Sequence, residues 1–299
     1  MRRDWDDPPV MRDGETPTDA GLVRALVAAQ FPRWAGLEVV PLESTGTDNV
    51  VYRLGDELSV RLPRIPGAAG QIELERRWLP RLAPHLPAAV PDPVAVGTPA
   101  FGYPHVWAVY RWLEGVNPVG PGGLATALAD FIAALRRIDA AGGPAASPRG
   151  RGGSLRGREM GKWIDALAGD YDPALLTDVW EADRDAPEWA GPPVWVHGDL
   201  HAGNLLVRAG DGALSAVLDW SCLAVGDPAV DLIPAWMLLD AAGRAEFRAR
   251  LEPDEDSWRR GRAWAFSMGL GAFAYYRTTN PFLARLGHYA IEEVLAEVR

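Results

Sequence analysis

The sequence has little of two residue types that carry chemistry, cysteine and lysine. Cys222 is the only cysteine among the 299 residues, which excludes an internal disulfide framework and a metal site built from cysteines alone. Lys162 is the only lysine among 30 basic residues, and the other 29 are arginines. A coding bias is the simplest origin of this excess. It still limits the chemistry, because a mechanism that needs a lysine must use Lys162 or accept an arginine instead.

The sequence also lacks an excess of positive charge and any long apolar segment. The net charge is −10, whereas proteins that follow a phosphate backbone usually gather Lys and Arg into a basic domain, so we expect no nucleic-acid partner. The longest uncharged aromatic run, residues 263–276, has 14 residues, fewer than the roughly 18 that a membrane helix requires. It predicts a buried core helix instead. With no membrane segment and no apolar leader after Met1, the expected location is cytoplasmic.

The first part of the chain predicts a small, strand-rich domain. Hydrophobic residues make up 48% of the sequence, enough for a sizeable core. Residues 1–17 are polar and proline-rich and predict a flexible tail. Residues 18–112 then predict a helix, an antiparallel meander over 37–62 with short turns, a helix at about 71–83 and two further strands near 94–96 and 106–110.

The second part, residues 113–299, predicts a mainly helical domain. It begins with an amphipathic helix over 124–138, followed by a Gly-, Pro- and Ser-rich stretch at 140–158 that is typical of a flexible loop. Short strands are predicted at 194–197, 204–208 and 214–218, and helices follow to the end. The predicted fold class is therefore α+β, with an antiparallel sheet in the first part and helices in the second.

Three polar residues between 194 and 231 form the most informative chemical pattern. Asp199 follows an apolar strand, and Asn204 lies five residues later, directly before a second strand. A hairpin turn at 210–212 returns the chain along a third strand that ends at Asp219. The hairpin would place Asn204 and Asp219 at one end, near Asp199. Amide and carboxylate oxygens suit a hard cation such as Mg²⁺, which takes one or two carboxylates plus substrate phosphates.

A zinc site is the alternative interpretation of this stretch. His197 and His201 are four residues apart, and Cys222 is near in sequence. Two histidines at this spacing converge on the face of a helix, however, and His197 follows a strand. The pattern therefore favours magnesium.

The ordered motifs resemble the aminoglycoside phosphotransferase and choline kinase-like family, whose fold is similar to that of protein kinases. HGDLHAGN at 197–204 resembles its catalytic motif, LDW at 218–220 its metal-binding segment, and GDP at 226–228 followed by Asp231 the element after it. The resemblance is strongest to the antibiotic phosphotransferases. It implies a two-lobed fold, with residues 18–112 as a nucleotide-binding lobe and 113–299 as a catalytic and substrate-binding lobe.

The resemblance assigns roles to the residues of these motifs. Asp199 would be the catalytic base that accepts the proton of a substrate hydroxyl. Asn204 and Asp219 would hold Mg²⁺ against the nucleotide phosphates. His197 and His201 would support the loop, since a neutral ring can hydrogen-bond two backbone segments. Asp227 precedes Pro228 where a helix is predicted, so we expect a helix cap rather than a catalyst.

The resemblance extends to the third strand and the helix after it. Arg61 stands where the kinase pattern has a phosphate-binding lysine, and a guanidinium keeps the charge and can bind two phosphate oxygens. Glu75 is the favoured ion-pair partner of Arg61, because it aligns with apolar residues of the predicted helix. Glu73 is the alternative.

Two further segments of the first part are candidates for nucleotide binding. Gly46 and Asn49 lie in a turn that resembles the family's nucleotide-covering hairpin, although an ordinary hairpin is an equally good interpretation. Tyr110 and Trp112 lie in a segment that resembles the family's hinge, whose backbone could meet a purine edge. Both aromatic side chains could equally serve packing.

The predicted function is that of a small-molecule kinase. It would transfer the γ-phosphoryl group of ATP or GTP, with Mg²⁺, to a hydroxyl of an aminoglycoside or macrolide. The eight acidic residues within 165–188 could bind a cationic acceptor, although a solvated helix face is the simpler interpretation. The alternatives are a metabolic kinase for a sugar, choline-like amine or amino alcohol, and a nucleotide-binding protein without transferase activity. The sequence leaves the oligomeric state open.

Overall fold

The computed structural model of the protein describes residues 14–42, 46–120, 123–146, 149–151 and 153–298. The chain divides into two compact units. Unit 1 comprises Met1–Ala83 and Val90–Glu114, and unit 2 comprises Pro84–Ala89 and Gly115–Arg299. The sequence predicted a boundary after residue 112, and the division falls after Glu114.

Unit 1 is built around an antiparallel sheet. In the described residues its strands are β1 (Val39–Pro41), β2 (Asn49–Leu54), β3 (Leu58–Pro63), β4 (Pro93–Gly97) and β5 (Trp107–Arg111). They are ordered β1-β2-β3-β5-β4, and every neighbouring pair is antiparallel. The turn between β2 and β3 contains Gly55, whose positive φ of 59° is accessible to glycine at little cost. This is the meander that the short turns predicted.

The two faces of this sheet pack against different helices. Helix α1 (Ala20–Gln30) begins at Asp19, whose carboxylate accepts the N–H of Leu22 at 2.7 Å. Its apolar side chains share a core cluster with Val60 of β3. Successive strand residues point to opposite faces, so the next residue, Arg61, is directed to the side of α2 (Gly70–Leu82). The alternation of β3 therefore places a buried cation beside a helix.

Part of the predicted tail packs on unit 1. Residues 1–13 lie outside the described residues. Glu15 forms an ion pair of 2.7 Å with Arg64, and both side chains are almost fully buried. The N–H of Thr16 donates to the carbonyl of Arg64 at 2.9 Å. These two residues belong with the sheet rather than with a loose segment.

Unit 2 combines helices with two small antiparallel strand pairs. Its described strands are β6 (Val194–Val196), β7 (Leu205–Val207), β8 (Leu214–Val217) and β9 (Ala224–Gly226); β6 pairs with β9, and β7 with β8. Its helices are α3 (Ala125–Arg137), α4 (Gly161–Ala166), α5 (Pro173–Arg184), α6 (Pro234–Met237), α7 (Ala241–Leu251), α8 (Glu255–Tyr276) and α9 (Pro281–Val298). The α+β class predicted from the sequence is confirmed.

Helix α8 contains the aromatic run for which the sequence predicted burial. Most of its residues from Ser257 to Leu270 are buried, whereas residues 271–276 are half-buried or exposed, and Tyr275 is 51% exposed. The second half of the run therefore corrects the prediction of a wholly buried helix. Helix α9 packs closely on α8, since a Cβ at Gly287 would lie 2.7 Å from the carbonyl oxygen of Gly269. Among the described residues, no helix is both long enough and apolar enough to cross a membrane.

Candidate active site

The loop that carries Asp199 is fixed by a buried carboxylate. Strand β6 ends at Val196, and the backbone N–H groups of His197 and Gly198 donate to the two oxygens of Asp231 at 2.8 and 2.7 Å. Gly198 has a positive φ of 81°, and a Cβ there would lie 3.0 Å from that of Cys222. This tight turn directs the chain from the strand end into Asp199.

His197 bridges two backbone segments. Its Nδ1 accepts the N–H of Asp199 at 3.2 Å, and its Nε2 lies 2.9 Å from the carbonyl oxygen of Leu218. A carbonyl only accepts, so the geometry fits a neutral ring with its proton on Nε2. The ring packs against Trp220 with centroids 4.7 Å apart. His197 thereby joins the Asp199 loop to the end of β8.

Asn204 and Asp219 lie at the same end of the β7–β8 hairpin. Leu218 donates its N–H to the carbonyl of Asn204 at 2.7 Å, and Asp219 follows directly. The side-chain amide of Asn204 donates to the carbonyl of Asp199 at 2.9 Å. Asp219 has a positive φ of 54°, and its carboxylate accepts the N–H of Ser221. The structure thus brings the three predicted residues together.

These side chains fit a magnesium ion. With its NH₂ group donating to Asp199, Asn204 presents its amide oxygen as an acceptor. Together with the Asp219 carboxylate it forms a set of hard oxygen donors, the kind that Mg²⁺ uses with substrate phosphates. In the part of the chain that the structure describes, no three or more His, Cys, Asp or Glu side chains are grouped to hold a metal.

The zinc alternative does not fit the contacts. Both ring nitrogens of His197 contact backbone groups. His201 Nδ1 accepts the N–H of Gly203 at 3.1 Å, and its Nε2 lies 3.3 Å from the side-chain nitrogen of Asn204. Burial also raises the pKa of the Cys222 thiol, which disfavours the thiolate that zinc binds. The histidines support the loop instead.

Arg149 is a site residue that the sequence did not reveal. Its guanidinium forms an ion pair with the Asp199 carboxylate through Nη1 and Oδ1 and donates to the carbonyl of Gly198 at 3.2 Å. Burial alone would raise the pKa of Asp199, but the charge of Arg149 and its hydrogen bond to the carboxylate lower it. Asp199 is therefore held as a carboxylate. A stretch of Gly, Pro, Ser and Arg carries no signal of this contact.

Asp227 acts as a helix cap and an ion-pair partner. Its carboxylate accepts the N–H of Ala229 at 2.9 Å at the start of the 3₁₀ helix Pro228–Leu232. The guanidinium of Arg260 donates to the same carboxylate, with Nε 2.7 Å from Oδ2. Both contacts support the fold of unit 2, and neither directs Asp227 towards Asp199.

In unit 1, Arg61 belongs to a buried polar cluster. Its Nη1 donates to Glu75 Oε1 at 3.0 Å, and its Nη2 contacts the second oxygen of Glu75 and the hydroxyl of Tyr110. Tyr110 in turn donates to Glu75 at 2.7 Å, and the Gln71 amide donates to Glu75 at 3.0 Å. Glu73 instead pairs with Arg76 at the surface. Of the two candidate partners, the structure therefore pairs Arg61 with Glu75.

The structure gives the environment of the four other residues predicted to bind nucleotide, which are Gly46, Asn49, Tyr110 and Trp112. Asn49 donates from its buried side chain to Gln71 at 2.9 Å. Gly46 lies in the loop between β1 and β2, of which residues 43–45 lie outside the described residues. The Tyr110 hydroxyl is directed into the Arg61 cluster. Trp112 packs under the Arg53 guanidinium, whose central carbon lies 3.7 Å from the ring centroid, so both aromatic side chains make contacts within unit 1.

Most acidic residues of the 165–188 stretch make local contacts. Asp183 is buried between Arg259 and Arg262. Asp172 caps helix α5 through the N–H of Ala174. The remaining ion pairs join Asp170 to Arg277, Glu181 and Asp185 to Arg184, and Asp185 and Glu188 to Arg156. Asp183 therefore has a buried structural role, and a solvated and paired surface is the better interpretation for the other side chains.

The sequence model of the phosphotransferase enzyme family matches residues 38–264, more than half of the chain. The chain therefore belongs to the phosphotransferase enzyme family, and the prediction of a phosphotransferase is confirmed. A relative in Bacillus subtilis (strain 168), the uncharacterized protein YcbJ, is 28% identical over 246 residues, which cover 76% of this chain and 78% of the relative.

Solved structures show the same fold. Aminoglycoside 2'-phosphotransferase-IIIa in its GDP complex has a TM-score of 0.70 at 18% identity and covers 94% of this chain and 100% of its own. Macrolide 2'-phosphotransferase MphH from Brachybacterium faecium has a TM-score of 0.60 at 26% identity and covers 90% of this chain and 97% of its own. The predicted protein-kinase-like α+β fold is confirmed.

Proposed function

We propose that the protein transfers the γ-phosphoryl group of ATP or GTP to a hydroxyl of a small molecule, with an aminoglycoside or a macrolide as the leading acceptor class. The observation that carries this proposal is the arrangement of Asp199, Asn204 and Asp219 at adjacent strand ends. The Asn204 amide donates to the carbonyl of Asp199, and Leu218, which directly precedes Asp219, donates to the carbonyl of Asn204. In a member of a phosphotransferase family, such a group combines a base with two oxygen ligands.

The proposed step is an in-line displacement. Asp199 accepts the proton of the acceptor hydroxyl while the acceptor oxygen forms a bond to the γ-phosphorus. The bond from that phosphorus to the bridging oxygen breaks, and its electron pair leaves with the nucleoside diphosphate. When bound by Asn204 and Asp219, Mg²⁺ would neutralise charge on the phosphate oxygens. The pair of Asp199 with Arg149 keeps the base ionised and able to accept the proton.

The buried pair in unit 1 supplies the proposed phosphate-binding cation. Arg61 is always charged, and Glu75 orients its guanidinium through two hydrogen bonds. Residues 46–48, which lead into β2, would offer backbone N–H groups to the phosphates. The backbone of the Tyr110–Trp112 stretch would offer groups to the purine edge, since both side chains are engaged elsewhere.

The acceptor class is proposed from likeness to named enzymes. The macrolide enzyme, at 26% identity, favours testing macrolides first. A cationic acceptor would find few partners in the 165–188 stretch, because most of its carboxylates are paired with arginine. A nucleotide-dependent kinase of small molecules agrees with the predicted cytoplasmic location.

A phosphorylation screen tests the proposal. Purified protein is incubated with Mg²⁺ and either ATP or GTP, together with macrolides, aminoglycosides or small amino alcohols, and the products are examined by mass spectrometry. We expect one acceptor class to gain a phosphoryl group with wild-type protein and none with Asp199→Asn. If only the amino alcohols gain a phosphoryl group, the acceptor is a metabolite and the proposal of an antibiotic acceptor is overturned. No gain in any class, with no nucleotide-dependent rise in thermal midpoint, would remove the kinase assignment.

A further inference from the structure

The segment that carries Arg149 is attached to the element that follows the metal-binding aspartate. Ala145 forms a parallel bridge with Val225 of β9. The carbonyl of Gly150 accepts the N–H of Asp227 at 2.8 Å. A Cβ at Gly226 would lie 2.3 Å from the same carbonyl oxygen and 2.8 Å from the Cβ of Ala146. The glycine of the GDP motif is therefore required for this segment to lie against β9.

This attachment fixes the backbone position from which the Arg149 side chain extends. Gly150 has a positive φ of 73°, so the chain turns sharply next to Arg149. Strand β9 pairs with β6, the strand that leads into Asp199. The two chain segments that present Arg149 and Asp199 thus rest on one strand pair, and their ion pair does not depend on a long unsupported loop.

The contacts of Arg149 leave part of the Asp199 carboxylate for another partner. Arg149 engages Oδ1 and the carbonyl of Gly198. Oδ2 lies 3.9 Å from His201 Nε2, beyond hydrogen-bond length. Both side chains retain some solvent access, with exposed fractions of 30% for Arg149 and 17% for Asp199. An acceptor hydroxyl can approach Oδ2 while Arg149 holds Oδ1.

We propose that Arg149 is a positioning residue for the reaction, which orients the Asp199 carboxylate so that Oδ2 receives the proton of the acceptor hydroxyl. This inference rests on the proposed function. It also assigns a structural role to Gly226 and Asp227, which hold the segment that places Arg149 beside the base. The role needs a positive charge at the place of Nη1, since this one nitrogen contacts both the Asp199 carboxylate and the carbonyl of Gly198.

The test compares the kinetics of Arg149→Ala and Arg149→Lys with those of Arg151→Ala, an exposed arginine of the same segment that serves as the matched control. For Arg149→Ala we expect kcat to fall by about tenfold or more, with the KM for nucleotide within about twofold of wild type. Arg149→Lys should recover part of the rate, and free guanidinium ion should restore rate to Arg149→Ala but add nothing to wild type. Arg151→Ala should keep the wild-type kcat.

A second variant changes the packing of the Arg149 segment against Gly226 and leaves the charge of Arg149 in place. Gly226→Ala should lower kcat without abolishing nucleotide binding, whereas Gly161→Ala, where a Cβ meets open space, should leave kcat unchanged. An Arg149→Ala enzyme that turns over within about twofold of wild type overturns the inference. If Asp199→Asn is inactive in that same assay, the proposed function stands. An active Asp199→Asn would instead overturn the proposed function itself.

Discussion

The carboxylate of Asp231 accepts the backbone N–H of His197, and its second oxygen accepts that of Gly198. Asp231 is fully buried, as is His197. A single side chain of the GDPAVD element therefore fixes the start of the loop that carries the proposed base. The last aspartate of that element acts on the site through the backbone.

Asp231→Ala is expected to destabilise the protein markedly. It leaves two buried N–H groups without their acceptor, which costs about 2–4 kcal/mol of unfolding free energy. Urea denaturation followed by tryptophan fluorescence measures this loss. Asp165→Ala, an exposed position on α4, is the control and should leave the midpoint unchanged. Equal stability of the Asp231 and Asp165 variants would contradict the role given to Asp231.

Glu75→Ala should cost far more than Glu73→Ala. Removing Glu75 leaves the buried Arg61 without its carboxylate, a loss of about 3–5 kcal/mol. The Glu73–Arg76 pair is at the surface, where such pairs contribute about 0–1 kcal/mol. Thermal unfolding of the two variants gives the comparison. Similar losses in both would show that the buried pair is not what stabilises α2 against the sheet.

Arg61→Lys should be tolerated better than Arg61→Ala. Lysine keeps the positive charge, although it loses the second contact to Glu75. We expect the KM for nucleotide to rise modestly in Arg61→Lys and by about tenfold or more in Arg61→Ala. Lys162→Ala is the control, since the one lysine of the chain contacts only the ring of Trp163 among the described interactions. Unchanged nucleotide KM in Arg61→Ala would exclude a phosphate contact.

Asp219→Asn should raise the concentration of Mg²⁺ needed for half-maximal activity. Asparagine tolerates the positive φ of 54° at this position, so the backbone is kept while the charge is lost. Activity titrated with Mg²⁺ measures the effect, and Asp211→Asn in the exposed hairpin turn is the control. An Mg²⁺ requirement identical to wild type would remove Asp219 from the metal site.

Much of the site was predictable because its signals are local. The Asp199, Asn204 and Asp219 spacing depends only on two strand ends and one hairpin. Hydrogen bonds link Asn204 to Asp199 and to Leu218, the residue before Asp219. Glu75 was predictable because helix periodicity places it on the apolar face of α2. The meander of unit 1 followed from its short turns.

The parts that the sequence did not predict depend on contacts between distant segments. Strand β9 pairs with β6, which lies some 30 residues earlier in the sequence. Because β9 has only three residues and no turn signal beside it, its sequence shows no alternation that would predict a strand. Arg149 lies in a stretch whose composition is typical of a flexible loop, and its role depends on a carbonyl fitting against Gly226. The exposed end of α8 was missed because an uncharged aromatic run does not reveal which of its turns meets the core.

The central claim is that Asp199 is the base of a phosphoryl transfer. The direct measurement is the kcat of Asp199→Asn on the acceptor found by the screen, with nucleotide affinity measured on the same preparation by calorimetry. The account predicts that kcat falls by about 100-fold or more while the nucleotide still binds. A variant that transfers the phosphoryl group at the wild-type rate would contradict it.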